Sequence, residues 1–183
     1  MVFQSIVTPD GLLVHLKGPY EGRASNWGIY KDSGLQDKLK ECAKEKNGRQ
    51  LWVYGDAGYG MTEGIMSSYC TQGMGANRAA APLQEDQKVF NVNMAKQHVV
   101  VEWGFGKVVN MFAFIDFHKK LKFGLSPVGS LVFAAILLTN VHTCYNSSET
   151  AAYFECLPPS VWEYFGVEKE DFYGLDMDEL QSD

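Results

Sequence analysis

The 183 residues are 46% hydrophobic and 21% charged, the balance of a soluble globular chain long enough for one domain with a real core. The formal net charge of −6 is unevenly placed: Glu163 to Asp183 carries −7, which leaves the body at about +1. Composition therefore excludes the strongly basic surface through which non-specific nucleic-acid binders neutralise phosphates. Cys42, Cys70, Cys144 and Cys156 lack CxxC spacing and a paired histidine motif, which argues against a zinc module and for reduced thiols in an intracellular protein. No basic segment followed by an apolar core opens the chain, so no secretory signal is expected. Val128 to Leu138 falls short of the roughly 20 residues of a membrane span and reads as a buried helix.

In chain order, Phe3–Val7 and Leu12–Leu16 are apolar segments around Thr8-Pro9-Asp10-Gly11. Proline presets φ in that turn and glycine accepts positive φ, so an antiparallel hairpin is expected. After Gly18-Pro19, Ser25 or Asn26 is expected to cap a helix running to about Lys46, with Gly34 a weak point or a second start. Asn47-Gly48 closes it. Leu51 to Tyr54 reads as a short buried strand, and Gly55 and Gly58 are expected to turn the backbone sharply where Asp56 emerges. An acid at the carboxyl end of a strand faces the crevice in which open α/β sheets bind ligands, although Asp between glycines is also ordinary turn chemistry.

Gly60 to Ala81 shows no sustained period and reads as a long loop. Pro82 then opens a helix with acids in its first turn, where the helix dipole favours them, and with Phe90, Met94, Val101 and Phe105 near one face. Glu102 rides on this helix among apolar neighbours, where a carboxylate needs a partner or a metal. Trp103, Phe105 and Phe112 are expected in the core. Phe112 to Phe117 suits a strand or a helix end, and His118 to Lys122 is the one concentrated basic run. Ser126-Pro127 starts an apolar helix to about Tyr145. Pro158-Pro159 ends it all but for one docked turn at Val161–Phe165, and the acidic remainder is expected to be disordered.

The order of these pieces resembles the Harbinger-type DDE transposases and their domesticated relatives. The matching stretches are Thr8–Gly11, Gly18–Arg23, Leu51–Gly60 with its Gly55-Asp56 and Gly58-Tyr59, Phe90-Asn91, Val101-Glu102-Trp103 with Phe105-Gly106, Asp116-Phe117, the apolar helix and Pro158-Pro159. The resemblance implies an α/β fold, an RNase H-like mixed sheet with flanking helices. It also implies a partial DDE endonuclease domain over residues 1–165 and an acidic tail over 166–183.

In that family three carboxylates hold two divalent cations for in-line phosphodiester cleavage. Asp56 matches the second acid and Glu102 the third, 46 positions later, so the implied catalytic and metal-binding residues are Asp56 and Glu102 and the implied cofactor is magnesium or manganese. The family's first acid lies on a central strand upstream of the segment resembling Phe3–Val7, and the chain is expected to lack that strand. Asp10 sits in a turn at the wrong place to replace it. The family commonly has His-Asp where this chain has Ser25-Asn26, and an Arg where it has His98, which at i, i+4 can face Glu102 but offers no guanidinium fork.

The implied activity is therefore weak or absent in the chain by itself. The alternative is a non-catalytic interaction module that binds a protein partner. DNA as a partner, a protein partner supplying DNA binding, no membrane association, and a nuclear location are likewise implied by the resemblance.

Overall fold

The structure, a computed structural model, describes residues 1–71, 82–115 and 127–168. Their contacts form two units: Met1–Ile6 with His15–Glu102, and Val7–Val14 with the residues from Trp103 onward.

The first unit begins with β1 (Val2–Val7), which pairs with β2 (Leu13–Tyr20) as the expected hairpin. Ser25 caps α1 (Asn26–Asp32), its Oγ accepting from the Gly28 N–H at 3.1 Å. Gly34, at φ 65°, separates α1 from α2 (Leu35–Cys42), so the residue expected to be a second start is one and the helix stops short of Lys46. The Gln50 amide donates to the Leu39 and Ala43 carbonyls at 3.0 and 2.9 Å, a second bond for each beside those from the Ala43 and Leu51 N–H groups. Tyr30, Leu35, Leu39 and Ile65 form the buried core of this unit, with Ile6, Ala43, Val53 and Tyr59 packed against them. Burial of each large side chain contributes about 1.5–3 kcal/mol.

The strand expected over Leu51–Tyr54 is β3, Val53–Tyr54 only. Leu51 and Trp52 are 43% and 53% exposed, because the Leu51 N–H is drawn back to the Ala43 carbonyl at 2.8 Å and only the last two residues reach a partner. That partner is β4 (Ile65–Met66), parallel to β3 with Val53 opposite Ile65 and Tyr54 opposite Met66. It lies inside the stretch expected to be loop; a two-residue strand between Gly64 and Ser67 is too short to show alternation. Residues 72–81 of that stretch lie outside the described residues. The expected long helix is α3 (Glu85–Met111), with Glu85 and Asp86 in its first turn. Val100, Gly104 and Val108 are its buried line, one position off the expected face, while Val89, Val92 and Val99 are exposed.

In the second unit the hairpin turn is closed by the Thr8 N–H on the Leu12 carbonyl at 2.9 Å and the Gly11 N–H on the Thr8 carbonyl at 2.8 Å. Asp10 is spent in that turn, accepting from the Thr8 hydroxyl and the Leu12 N–H. Gly104 meets the turn closely: a Cβ there would lie 3.1 Å from Val7 Cγ2. The expected apolar helix is α4 (Val128–Asn146), and buried Asn140 on it acts as a strand partner would. Its Oδ1 accepts from the Leu13 N–H at 3.0 Å, and its Nδ2 donates to the Leu13 carbonyl and to the Tyr164 hydroxyl, each at 3.0 Å. Thr139 and Thr143 return their hydroxyls to carbonyls four residues back, and Lys107 Nζ donates to Thr143 Oγ1 at 2.9 Å and to the Ser147 carbonyl at 3.1 Å.

By length and composition α4 could cross a membrane; its buried side combines apolar Val128, Val132, Ala135 and Ile136 with the hydrogen-bonded Thr139, Asn140 and Thr143. Its other side is open: Phe133, Leu138 and Tyr145 are exposed, so the expectation of a fully buried helix holds for one face only. Two short helices follow, α5 (Glu149–Tyr153), capped by Ser148, and α6 (Val161–Phe165), the expected docked turn, closed by a capping box between Ser160 and Glu163. Trp103 is 37% exposed and edges onto Tyr153 rather than sitting in the core. A 3₁₀ turn at Ala113–Ile115 ends the aromatic segment; Asp116-Phe117, the basic run His118–Lys122 and residues 169–183 lie outside the described residues.

Candidate functional site

Asp56 stands two residues beyond β3, at the carboxyl end of a parallel strand and exposed to solvent. Its Oδ1 accepts from the Gly58 N–H at 2.8 Å and so caps a 3₁₀ turn at Ala57–Tyr59. Asn26, the first residue of α1 and not its cap, donates from Nδ2 to Oδ1 at 3.0 Å and to Oδ2 at 2.9 Å. The carboxylate is thus gripped from 30 residues away in the sequence.

The glycines around it have a different purpose from the one expected. Neither Gly55 nor Gly58 takes a positive φ; what they supply is space. A Cβ on Gly58 would lie 2.8 Å from Asn26 Nδ2 and 3.0 Å from Asp56 Oδ1, and one on Gly55 would lie 2.9 Å from the Tyr59 ring. Tyr59 in turn meets Tyr30 edge-on and accepts from the buried Gln4 amide at 3.3 Å, which ties the turn to the core.

Tyr54 joins the strand end to α3. Its ring meets Phe90 and His98 edge-on, with centroids at 6.4 and 5.9 Å, and its hydroxyl is 2.7 Å from Ser68 Oγ. Asn91 fixes the neighbouring loop by accepting from the Tyr69 N–H at 2.8 Å and donating to the Tyr69 carbonyl at 2.9 Å. His98 lies half-buried with Nδ1 unpartnered among the described residues. Glu102 follows one turn later on the same side of the helix, a spacing that puts Cβ atoms about 5–6 Å apart. It is exposed and makes no hydrogen bond or ion pair among the described residues, so neither His98 nor a described lysine neutralises it.

Asp56 and Glu102 therefore belong to the same unit, one just after Tyr54 and the other just after the histidine that Tyr54 touches. Among the described residues, no group of three or more His, Cys, Asp or Glu side chains comes together to hold a metal ion. Hard carboxylate oxygens suit a magnesium or manganese ion that keeps most of its waters, and the donor chemistry fits one weakly held cation. It does not fit two closely spaced cations, whose mutual repulsion two carboxylates offset poorly.

A short parallel sheet with an exposed acid just beyond its carboxyl end, touched through Tyr54 by the helix that carries a second exposed acid, is consistent with an α/β fold. The DDE superfamily endonuclease family matches residues 1–140, and the chain belongs to that family. This family generally uses a divalent metal. No curated protein and no solved structure matches the chain.

Sequence reasoning missed two residues of this site. Tyr54 was legible only as part of an apolar run, although its position two before the acid puts both side chains on one side of an extended segment. Asn26 read as a helix cap, and no spacing rule links it to Asp56.

Proposed function

We propose that the chain is an RNase H-like, Harbinger-type domain of the DDE endonuclease superfamily in which Asp56 and Glu102 bind a single divalent cation weakly. The carrying observation is the Tyr54 contact with His98, which joins the end of β3, two residues before Asp56, to the turn of α3 that precedes Glu102. When bound, magnesium or manganese would supply Lewis-acid polarisation of a phosphodiester and a more acidic bound water. The chain's own part is to present two carboxylates at the strand's end, with Gly58 and Asn26 fixing the orientation of the first. DNA is the substrate class this family reading brings, and a nuclear location follows from it. On this reading cleavage by the chain alone is absent or very slow, because Asp56 and Glu102 supply two carboxylates where the family's in-line cleavage uses three.

Titration of the isotope-labelled chain with manganese tests this. Paramagnetic broadening should appear first at the amides of Asp56 and Glu102 and should be lost in Asp56→Asn and Glu102→Gln. Unbroadened signals at millimolar manganese would remove the metal-site reading.

A second reading is favoured by a different observation, the open apolar side of α4 with Phe133, Leu138 and Tyr145, together with Leu157 at 85% exposure. On that reading the chain is a non-catalytic interaction module that covers this surface with a protein partner, including one that supplies DNA binding. Loss of partner capture in Phe133→Ser with Leu138→Ser, at unchanged manganese affinity, distinguishes it.

A further inference from the structure

We infer that Asn26 guards the chelating face of Asp56, so that its side-chain amide and a divalent cation compete for the same two oxygens. This rests on the reading of Asp56 as a cation ligand.

The geometry is specific. Nδ2 lies 3.0 Å from Oδ1 and 2.9 Å from Oδ2, and so sits close to the bisector of the carboxylate. A cation chelated by both oxygens of a carboxylate occupies that same bisector, at roughly 2.0–2.6 Å from the oxygens. Amide nitrogen and cation would then stand far closer than contact distance, and one must leave. Oδ1 is further engaged by the Gly58 N–H at 2.8 Å. Of the roughly four lone-pair sites of a carboxylate, three are filled by the protein itself. The amide must present nitrogen and not oxygen here, since its oxygen would face two anionic acceptors.

The surroundings keep the guard in place without locking it. Its backbone is set by α1, whose Ser25 cap does not involve the Asn26 side chain. Gly58 leaves the space the amide occupies. Asn26 is only half-buried, so rotation of its side chain into water gives up the hydrogen bonds to Asp56 and little packing. Cation binding at Asp56 thus includes the cost of breaking a charge-assisted contact, and removing the amide removes that cost.

The test is manganese(II) chloride alone, with free ion measured by electron paramagnetic resonance, on the full chain and on Asn26→Ala, Asp56→Asn and the double variant. Alanine is a good helix former and Ser25 remains to cap α1, so the fold is preserved; circular dichroism checks this. The expected result is tighter binding by Asn26→Ala, on the order of tenfold, which corresponds to about 1.4 kcal/mol. Binding should be lost in both variants lacking Asp56. Equal or weaker binding by Asn26→Ala, with the parent chain still binding through Asp56, overturns the guard and shows Asn26 to be a simple support. Absence of binding in both the parent and Asn26→Ala overturns the guard together with the metal reading of Asp56.

Discussion

Replacing Asn140 with leucine removes the side chain that ties α4 to the hairpin and to α6. The change keeps the volume close and deletes three hydrogen bonds: from the Leu13 N–H, to the Leu13 carbonyl and to the Tyr164 hydroxyl. Leu13 is 5% exposed, so its peptide groups lose their partner without gaining water. Each buried group left unpaired costs about 1–3 kcal/mol, giving roughly 2–6 kcal/mol for the two. The added apolar surface offsets part of this, and a net loss of about 3 kcal/mol is expected. Against a typical domain stability of about 5–15 kcal/mol that is a large fraction.

The assay is urea unfolding followed by circular dichroism, where the midpoint should fall by about 1–2 M at an unchanged slope. Tyr164→Phe, which deletes only the third bond, should cost about 1 kcal/mol. A loss below about 0.5 kcal/mol for Asn140→Leu would place it among ordinary surface substitutions and refute the view of Asn140 as a strand-like partner.

Tyr54→Ala should weaken manganese binding as well as lower stability by about 1–3 kcal/mol, less than for a fully buried ring, whereas Tyr54→Phe should keep the metal affinity and lose only the Ser68 contact. An unaltered affinity in Tyr54→Ala would separate the strand end from α3. Tyr20 provides a pH prediction: burial, and then its 2.7 Å hydrogen bond to Asp32, push its phenol up from 10.0 to about 12. Because the folded value is raised, the stabilisation is fully present below pH 10 and is lost as pH rises towards about 12. Near-ultraviolet titration should show Tyr20 ionising late together with Tyr30, whose phenol burial also pushes up, and Asp32→Asn should bring only Tyr20 back towards the others.

The parts of the fold that were legible are those fixed by local chemistry. Thr8–Gly11 closed the hairpin, the cap of α1 fell within the pair Ser25 and Asn26, and Gly34 divided α1 from α2, because each of these acts on backbone groups within a few residues. What was not legible depends on distant partners. The Leu51–Trp52 half of an apolar run is pulled out of the strand by the end of α2, and β4 exists only because β3 lies beside it. The candidate acids were found through resemblance and strand-end logic. The amide that grips one of them was hidden, because an asparagine at a helix start looks the same whether it caps the helix or reaches across to a loop. Gly58 was noticed for the wrong reason: its missing Cβ matters for the room it leaves to Asn26.

The shortness of the parallel sheet has a dynamic consequence. At its two ends the β3–β4 pairing is flanked by the Val53 N–H on the Gly64 carbonyl at 3.0 Å and the Gly55 N–H on the Met66 carbonyl at 2.8 Å, around a register of two residue pairs. A ladder of this length has no stability of its own. Its amides should therefore exchange with solvent at the rate set by undocking of the Tyr54 ring from α3, and hydrogen exchange at Val53 and Gly55 becomes a clock for that one side chain.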